Sequence, residues 1–213
     1  MRKVSILFLL LFFSLGFAQT YEFDFLTKYT SENSKNKFTR DLVSYYNSDD
    51  FSYYLKLRKR DADLAATLYD HQRNLAHHFS VLESKVAGEI QFQFSYLNSS
   101  KLAKMNDNKN SRYEFSEISA NNPKIISLKT YPSKRAKKPA YECTFTLEKA
   151  NKNLMPVFRS EYFHLDGKND KVSELGNYIV SESIEKYKNY TCEIKLKEYK
   201  NVDLTITLPK ELK

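Results

Sequence analysis

Short runs in which apolar and polar residues alternate recur along nearly the whole chain, separated by polar turns. The clearest example is the stretch from Asp63 to Leu82, where Asp70 to Asn74 supplies the turn residues. Because side chains alternate along a pleated strand, each half has one apolar face. These faces consist of Leu64, Ala66 and Leu68 in the first half, and of Leu75, His77, Phe79 and Val81 in the second. The stretch predicts a β-hairpin, and the hairpin is the repeating unit.

Similar runs elsewhere give roughly twelve strands at the spacing of an all-β protein. They include Tyr21 to Phe25, Phe51 to Leu57, Ile90 to Tyr96, Tyr141 to Leu147, Tyr190 to Lys197 and Val202 to Leu208. The 15 Phe and 16 Tyr residues suit packed strands. We therefore predict a mainly β protein, an antiparallel meander that forms a curved sheet, a half-barrel or a sandwich. Only 4 glycines occur, and they are scattered, which excludes a glycine-rich phosphate loop and the nucleotide-binding folds that need one.

Three stretches interrupt the strand pattern or leave it ambiguous. Asn98 to Asn110 is polar and is predicted to be an exposed loop. Val157 to His164 is predicted to be a strand. In Asp166 to Lys188, residues at helical spacing favour one short helix near 170–180 followed by a strand, although a strand over Asn177 to Ile184 also fits.

The N-terminus has the three regions of a secretory signal peptide. Arg2 and Lys3 precede an apolar run from Val4 to Leu15, and Gly16-Phe17-Ala18 supplies small residues before Gln19. We predict cleavage after Ala18, so residues 1–18 are a signal peptide and 19–213 form a single β-rich domain. The apolar run is short for a span of about 30 Å, so we expect a periplasmic or extracellular protein rather than an integral membrane protein; an uncleaved anchor is the alternative.

Cys143 and Cys192 are the only cysteines, and export would place them in an oxidising compartment. Both lie on predicted apolar strand faces. We therefore predict a disulfide between Cys143 and Cys192, with two buried free thiols as the alternative.

The clustered histidines are the first candidates for a chemical site. His77 and His78 would point to opposite faces of a strand, His77 toward the core and His78 toward the surface, and no HExxH motif completes a metal site. No GxSxG motif marks a nucleophile. We therefore expect no metal, no cofactor and no catalysis, with an unrecognised hydrolase as the alternative.

An apolar sheet face must be buried against a second layer, against itself or against a ligand. The cleanest such face belongs to Phe92, Phe94 and Tyr96, which we predict to line a ligand site. Exposed tyrosines and sheet edges would instead suit a partner protein of the cell envelope. The formal charge of +8 is a modest basic excess, and nucleic acid is not an expected partner of an exported protein.

The leader ending in Gly16-Phe17-Ala18-Gln19, the composition rich in Lys, Asn, Tyr and Phe, and the hairpins resemble small exported proteins of Bacteroidota. In layout the chain is similar to GLPGLI-type secreted proteins and to the curved half-barrel of lipoprotein carriers, whose sheet holds an acyl chain. The GLPGLI signature is absent, so the resemblance implies a fold and no site residues. It implies a non-catalytic envelope protein that binds an apolar or amphiphilic ligand, and the alternative is a structural or protein-interaction module.

Overall fold

The computed structural model describes residues 19–60, 63–86, 88–102, 111–161 and 175–209. Within these residues, 11 strands form one antiparallel sheet that does not close, which confirms the predicted mainly β fold. The strands are β1 Thr20–Asn33, β2 Phe38–Tyr46, β3 Tyr53–Arg60, β4 Asp63–Asp70, β5 Leu75–Val86, β6 Glu89–Lys101, β7 Arg112–Ser119, β8 Lys124–Tyr131, β9 Tyr141–Lys149, β10 Tyr178–Lys186 and β11 Thr191–Thr207. One short helix, α1, spans Met155–Glu161 in the described part of the chain.

The first and last strands lie side by side in the middle of the sheet. The strand order is β6-β5-β4-β3-β2-β1-β11-β10-β9-β8-β7, so two meanders run outward from the central β1–β11 pair. This order leaves β6 and β7 as the two edges. A single sheet excludes the sandwich that the strand pattern also allowed, for the residues described here.

The half of the sheet from β1 to β6 curls strongly. The hydroxyl of Tyr21 in β1 lies 3.3 Å from Nε2 of His77 in β5, although three strands separate β1 from β5. In a flat sheet these strands would be about 19 Å apart, at about 4.8 Å per step. The sheet therefore bends back on itself in this half, as predicted for a half-barrel.

The curl encloses a first apolar cluster, which we call the strand core. It is built from side chains of β1 to β5 and of the C-terminal end of β11, with no helix residue. Its buried members are Tyr21, Phe23, Leu26, Tyr45, Leu55, Leu57, Ala66, Leu68, Phe79, Val81, Ile206 and Leu208. At about 25 cal/mol for each Å² of apolar surface removed from water, this burial drives the curling.

A second cluster, which we call the helix core, lies on the opposite face of the sheet. It contains Tyr29, Leu42, Ile126, Leu128, Tyr141, Cys143, Phe145, Leu147, Met155, Phe158, Val180 and Ile194. Leu42 belongs to the helix core, whereas the next residue, Val43, packs against the strand core. Because neighbouring residues of a strand point to opposite faces, the two cores are separated by the sheet itself.

Helix α1 replaces the strand predicted over Val157 to His164, and that prediction is wrong within the described residues. Pro156 falls in the first turn, where its missing N–H is tolerated, and the side chain of Asn153 accepts a hydrogen bond from the backbone N–H of Met155 at 3.1 Å. Phe158 then packs edge-to-face on Tyr29 and Phe145, with ring centroids 5.8 and 5.5 Å apart. These local signals start a helix, and the apolar side chains fix it on the sheet.

Strand boundaries differ from the prediction at two further places. Asn98 to Lys101 belongs to β6 rather than to the predicted loop, because it pairs with β5. The two strands predicted near the C-terminus are one strand, β11, of 17 residues. It holds two more residues than the stretch of β1 it pairs with, and register shifts opposite Phe23 to Phe25 and Lys28 to Tyr29 absorb them.

Some predictions fall outside the described residues, namely the signal peptide over 1–18 and the helix near 170–180 in its part before residue 175. In its described part the helix prediction is wrong, because Tyr178–Lys186 forms β10, and the alternative strand over Asn177 to Ile184 is confirmed. No helix in the described part of the chain is both long enough and apolar enough to cross a membrane.

Candidate functional site

The predicted ligand residues Phe92, Phe94 and Tyr96 share one face of the edge strand β6 and are half-buried. They pack against the strand core rather than against open space. Phe79 meets Phe94 and Tyr96 edge-to-face, with ring centroids 6.3 and 5.8 Å apart. Their place on a common face agrees with the prediction, and their role in binding a ligand is untested.

One end of the strand core holds a connected set of polar side chains. The hydroxyl of Tyr21 donates a 2.7 Å hydrogen bond to Oδ2 of Asp70 and lies 3.3 Å from Nε2 of His77. Nδ1 of His77 lies 2.6 Å from Oγ of Ser99, and the hydroxyl of Tyr96 lies 2.7 Å from the same oxygen. We call these five residues the polar chain. Long-range pairing brings them together, since they come from β1, β4, β5 and β6.

Asp70 carries the negative charge of the polar chain and is almost completely buried. Burial by itself would raise the pKa of this carboxyl, but hydrogen bonds from Tyr21 and from Arg73 outweigh it and lower the pKa below its usual range. Arg73 donates through its backbone N–H at 2.8 Å and through Nη1 at 3.0 Å, and Gln19 donates through Nε2 at 3.1 Å. A buried carboxylate with this many donors is stable in its charged form.

Tyr21 and His77, the other buried members of the polar chain close to Asp70, favour their neutral forms at pH 7. Burial raises the pKa of Tyr21, and the adjacent Asp70 carboxylate raises it further. Burial lowers the pKa of the fully buried His77, an effect that the charge of Asp70 only partly opposes. As predicted from the strand faces, His77 points into the core, whereas His78 remains partly exposed.

The predicted disulfide is wrong for this fold. Cys143 in β9 and Cys192 in β11 both pair in register with Glu185 of β10, so the cysteines are two strands apart. That separation is about 9 to 10 Å, beyond the ~7 Å that a disulfide can bridge without backbone movement. Both thiols are free, with Sγ of Cys143 3.1 Å from Oγ of Ser183 and Sγ of Cys192 3.4 Å from Oγ of Ser31.

A cleft of about 580 Å³ opens beside the register shift between Phe23 and Phe25, where the ladder between β1 and β11 is interrupted. Its apolar lining includes Phe25, Leu154, Tyr199 and Val202. Phe25 and Leu154 are buried at its base, and the Tyr199 ring, 46% exposed, lies 5.9 Å from the Phe25 ring. We call this feature the bulge cleft.

Three lysines line the bulge cleft, namely Lys149, Lys152 and Lys200. Lys152 is held in place by Ser48 and Asp24. Its Nζ donates a hydrogen bond to Oγ of Ser48 and lies 3.6 Å from Oδ2 of Asp24. Burial would raise the pKa of Asp24, but hydrogen bonds from Ser48 and the charge of Lys152 lower it. Lys149 and Lys200 remain at the rim, and Lys200 has a 3.1 Å ion pair with the exposed Glu198.

A second cleft of about 490 Å³ adjoins the first and shares Asp24 and Val202 with it. Its lining is mainly acidic and polar: Glu22, Phe23, Asp24, Asn47, Asp49, Val202, Asp203, Leu204 and Thr205. Apolar side chains and lysines thus line one cleft, three further carboxylates line the other, and Asp24 lines both.

The bulge cleft is not visible in the sequence, since its lining comes from β1, β11, the end of β9 and the segment before α1. A register shift is invisible in an alternating pattern, and the continuous run from Thr191 to Thr207 was interpreted as two strands. The polar chain was missed for a different reason. Its histidine was considered, but Tyr21 and Ser99 lie in strands whose proximity depends on the curl of the whole sheet.

Among the described residues, no group of three or more His, Cys, Asp or Glu side chains is placed to hold a metal ion. Comparison of the chain with models of known protein families found no matching family, and comparison with curated proteins found no matching relative.

Proposed function

We propose that the protein is an exported envelope protein that binds an apolar or amphiphilic ligand, and that the bulge cleft is its binding site. The observation that carries this proposal is that apolar side chains and three lysines line one open cavity, with Asp24 as its one carboxylate. Phe25, Leu154, Tyr199 and Val202 would hold the apolar part of the ligand, and Lys149 and Lys200 would hold an anionic headgroup.

The size of the bulge cleft supports this assignment. Small-molecule sites are clefts of about 300 to 1,000 Å³ that are largely apolar with a few polar groups for orientation, and the bulge cleft measures about 580 Å³. Without a ligand, the exposed ring of Tyr199 keeps apolar surface in contact with water, which is unfavourable. A ligand that covers Tyr199 would recover part of that cost, and the cleft would bind and release it without chemistry.

The fold supports the proposal independently of the cleft. An open sheet has edges and unequal faces, so a ligand can enter from the side without unfolding any strand. The resemblance to lipoprotein carriers, in which a curved sheet holds an acyl chain, agrees with this expectation. The predicted residues Phe92, Phe94 and Tyr96 form a competing site on β6.

The test is a titration of the purified protein with a fluorescent fatty acid, a probe with one carboxylate and one acyl chain. Tyr199→Ala and Lys200→Gln should each weaken binding about 5-fold or more, through loss of apolar contact and of charge respectively. Lys197→Gln is the matched control, because Lys197 is an exposed lysine of the same strand that does not line the cleft. Ligand should also raise the melting temperature with concentration.

The outcomes separate the two sites. If Phe94→Ala weakens binding and the cleft variants do not, the ligand lies against β6 as the sequence predicted. If no variant changes binding, or if neither the fatty acid nor a neutral detergent binds, the ligand proposal fails.

A second candidate, a protein-interaction module, is favoured by the open edges. In the described part of the chain, β6 and β7 each pair with one neighbour, and exposed edges can accept a strand from another protein. Leu97 in β6 and Ile118 in β7 are 49% and 60% exposed. Native mass spectrometry after mild extraction would distinguish a bound lipid from a bound protein.

A further inference from the structure

The hydrogen bonds of the polar chain have one consistent direction. Asp70 is ionised and can only accept, so the hydroxyl of Tyr21 donates its single proton to that carboxylate. The oxygen of Tyr21 is then free to accept a proton from Nε2 of His77, 3.3 Å away. The opposite tautomer would place a lone pair of the imidazole against a lone pair of the phenol. His77 therefore carries its proton on Nε2.

This tautomer fixes the remaining protons. Nδ1 of His77 is an acceptor, so the hydroxyl of Ser99, 2.6 Å away, donates to it. Ser99 has no second proton to give, so the hydroxyl of Tyr96 donates to the Ser99 oxygen at 2.7 Å. The proton of Ser99 thus points at a neutral imidazole base, and that base is oriented through Tyr21 by a buried carboxylate.

A serine whose proton is held by a histidine, with a third group orienting that histidine, is the arrangement that activates a nucleophile. The chain differs from the usual triad in two ways, because Tyr21 stands between histidine and carboxylate and Nδ1 faces the serine. In spite of both differences, the imidazole of His77 remains within hydrogen-bond distance of the Ser99 hydroxyl. Ser99 is partly buried on the edge strand β6, and the free edge of that strand is the side from which a substrate would have to approach it.

The neighbouring residues provide an internal comparison. Oγ of Ser100 lies 3.0 Å from Nε2 of His78, so this pair also has a serine within hydrogen-bond distance of a histidine. The other ring nitrogen of His78 faces Thr67 at 3.4 Å, and no carboxylate stands behind it among the hydrogen bonds described for this residue. Ser100 is exposed, and its histidine lacks the buried orienting group.

We propose that Ser99 is a nucleophile activated by His77, and that it can accept an acyl group from a carboxylic ester. This inference goes beyond the proposed ligand binding and concerns a different site. Ser99 Oγ forms a bond to the ester carbonyl carbon while its proton moves to Nδ1 of His77. The bond between that carbon and the leaving alkoxide breaks, and the alkoxide takes the proton from His77. Water then attacks the acyl-serine with His77 as base, which restores the serine and releases the acid.

The test uses a fluorophosphonate reagent on the folded, full-length protein. Ser99 Oγ would bond to phosphorus as the phosphorus–fluorine bond breaks, with fluoride leaving and the proton passing to His77. Peptide mass spectrometry should find the added mass on Ser99 and not on Ser100. This comparison lies within one molecule, so it does not depend on any variant folding correctly.

Two variants and a pH profile refine the test. Tyr21→Phe keeps the ring but removes the hydroxyl that orients His77, and labelling of Ser99 should slow at least 10-fold. Ser100→Ala should label at the rate of the unmodified protein. The labelling rate should rise with pH as His77 loses its proton and should level off at neutral pH. Because burial favours the neutral imidazole, this rise should occur below pH about 6.5, the usual pKa of histidine.

Three results would overturn the proposal. The first is an unlabelled Ser99 in the folded protein, and the second is equal labelling of Ser99 and Ser100. The third is a rate that increases in proportion to hydroxide up to pH 9 or so, since the reagent would then be reacting without help from His77.

Discussion

Phe158 and Phe94 illustrate how the two halves of one sheet bury their apolar faces differently. Phe158 comes from a helix laid over the sheet and is completely enclosed between Tyr29 and Phe145. Phe94 comes from an edge strand and is half-buried against a core that the sheet makes by curling on itself. A helix that covers a sheet can bury the side chains beneath it completely. A sheet that curls on itself leaves the side chains of its last strand partly exposed.

The polar groups follow the same division. Tyr21 and Tyr29 both lie in β1, and both hydroxyls donate inside a core. Tyr29 donates to the backbone carbonyl of Val180 at 2.9 Å, a neutral bond within the helix core. Tyr21 donates to a buried carboxylate at the open end of the strand core. The end that no helix covers is thus held by charge-assisted hydrogen bonds, which are the stronger kind.

The largest difference should appear when the two phenylalanines are truncated. Phe158→Ala should lower the free energy of unfolding by about 3 to 5 kcal/mol, because it leaves a cavity in a closed core. Phe94→Ala should cost less than about 2 kcal/mol, since solvent and neighbouring strands can fill the space at an edge. Urea titrations of both variants measure this. Equal losses of unfolding free energy would mean that the surroundings of Phe94 are packed as tightly as those of Phe158 in the helix core.

A smaller difference is expected between the two tyrosines of β1. Tyr21→Phe should cost about 1.5 to 3 kcal/mol, because it removes a hydrogen bond to a charged group and leaves the buried Asp70 with one donor fewer. Tyr29→Phe should cost about 0.5 to 1.5 kcal/mol, the usual range for a neutral bond. Both variants keep the ring, so packing is matched. A larger loss for Tyr29→Phe would contradict the division between neutral and charged polar groups.

Between pH 7 and 5, the pH dependence of stability should come from His77 in the strand core, whose pKa is lowered by burial. A histidine whose pKa is lowered in the folded state stabilises the fold above its unfolded pKa of about 6.5, and that contribution is lost as pH falls below this value. The lowered pKa of Asp70 adds a further loss below about pH 3.9. Melting temperatures between pH 7 and 5 should therefore fall in the unmodified protein and less steeply in His77→Gln. His78→Gln, which retains His77, is the control and should follow the unmodified protein. A slope that survives in His77→Gln would assign the effect to another group.

The architecture could be predicted from local patterns because each strand carries its own alternation. The hairpin from Asp63 to Asp70 and Leu75 to Val81 pairs as predicted, with Leu68 opposite His77. Helix α1 was missed because Val157 to His164 contains residues typical of strands, and the signals that override them, Asn153 and Pro156, are single residues.

What depends on register could not be predicted. The alternation of Tyr21, Phe23 and Phe25 predicts one common face, but a register shift follows Phe23, and Phe25 joins a different cluster of buried residues. The bulge cleft lies beside the same register shift. Alternation within a single strand does not reveal where its register with a partner strand shifts.

The cysteines show the same limit and give the smallest expected effect. Each lies on a predicted apolar face, yet the strand between them keeps the sulfurs apart, so reducing agent should leave the melting temperature unchanged.

Burial raises the pKa of the Cys143 thiol to about 12, and it also raises that of the half-exposed Cys192. An aromatic disulfide reagent should therefore find two thiols in denaturant, and in the folded protein it should react with Cys192 before Cys143, because access and thiolate fraction both favour Cys192. Cys192→Ser should remove the fast phase and leave the slow one. If denatured, unreduced protein shows no thiol, the strand order around β10 must differ from the one described, since this order cannot place the two sulfurs within bonding distance.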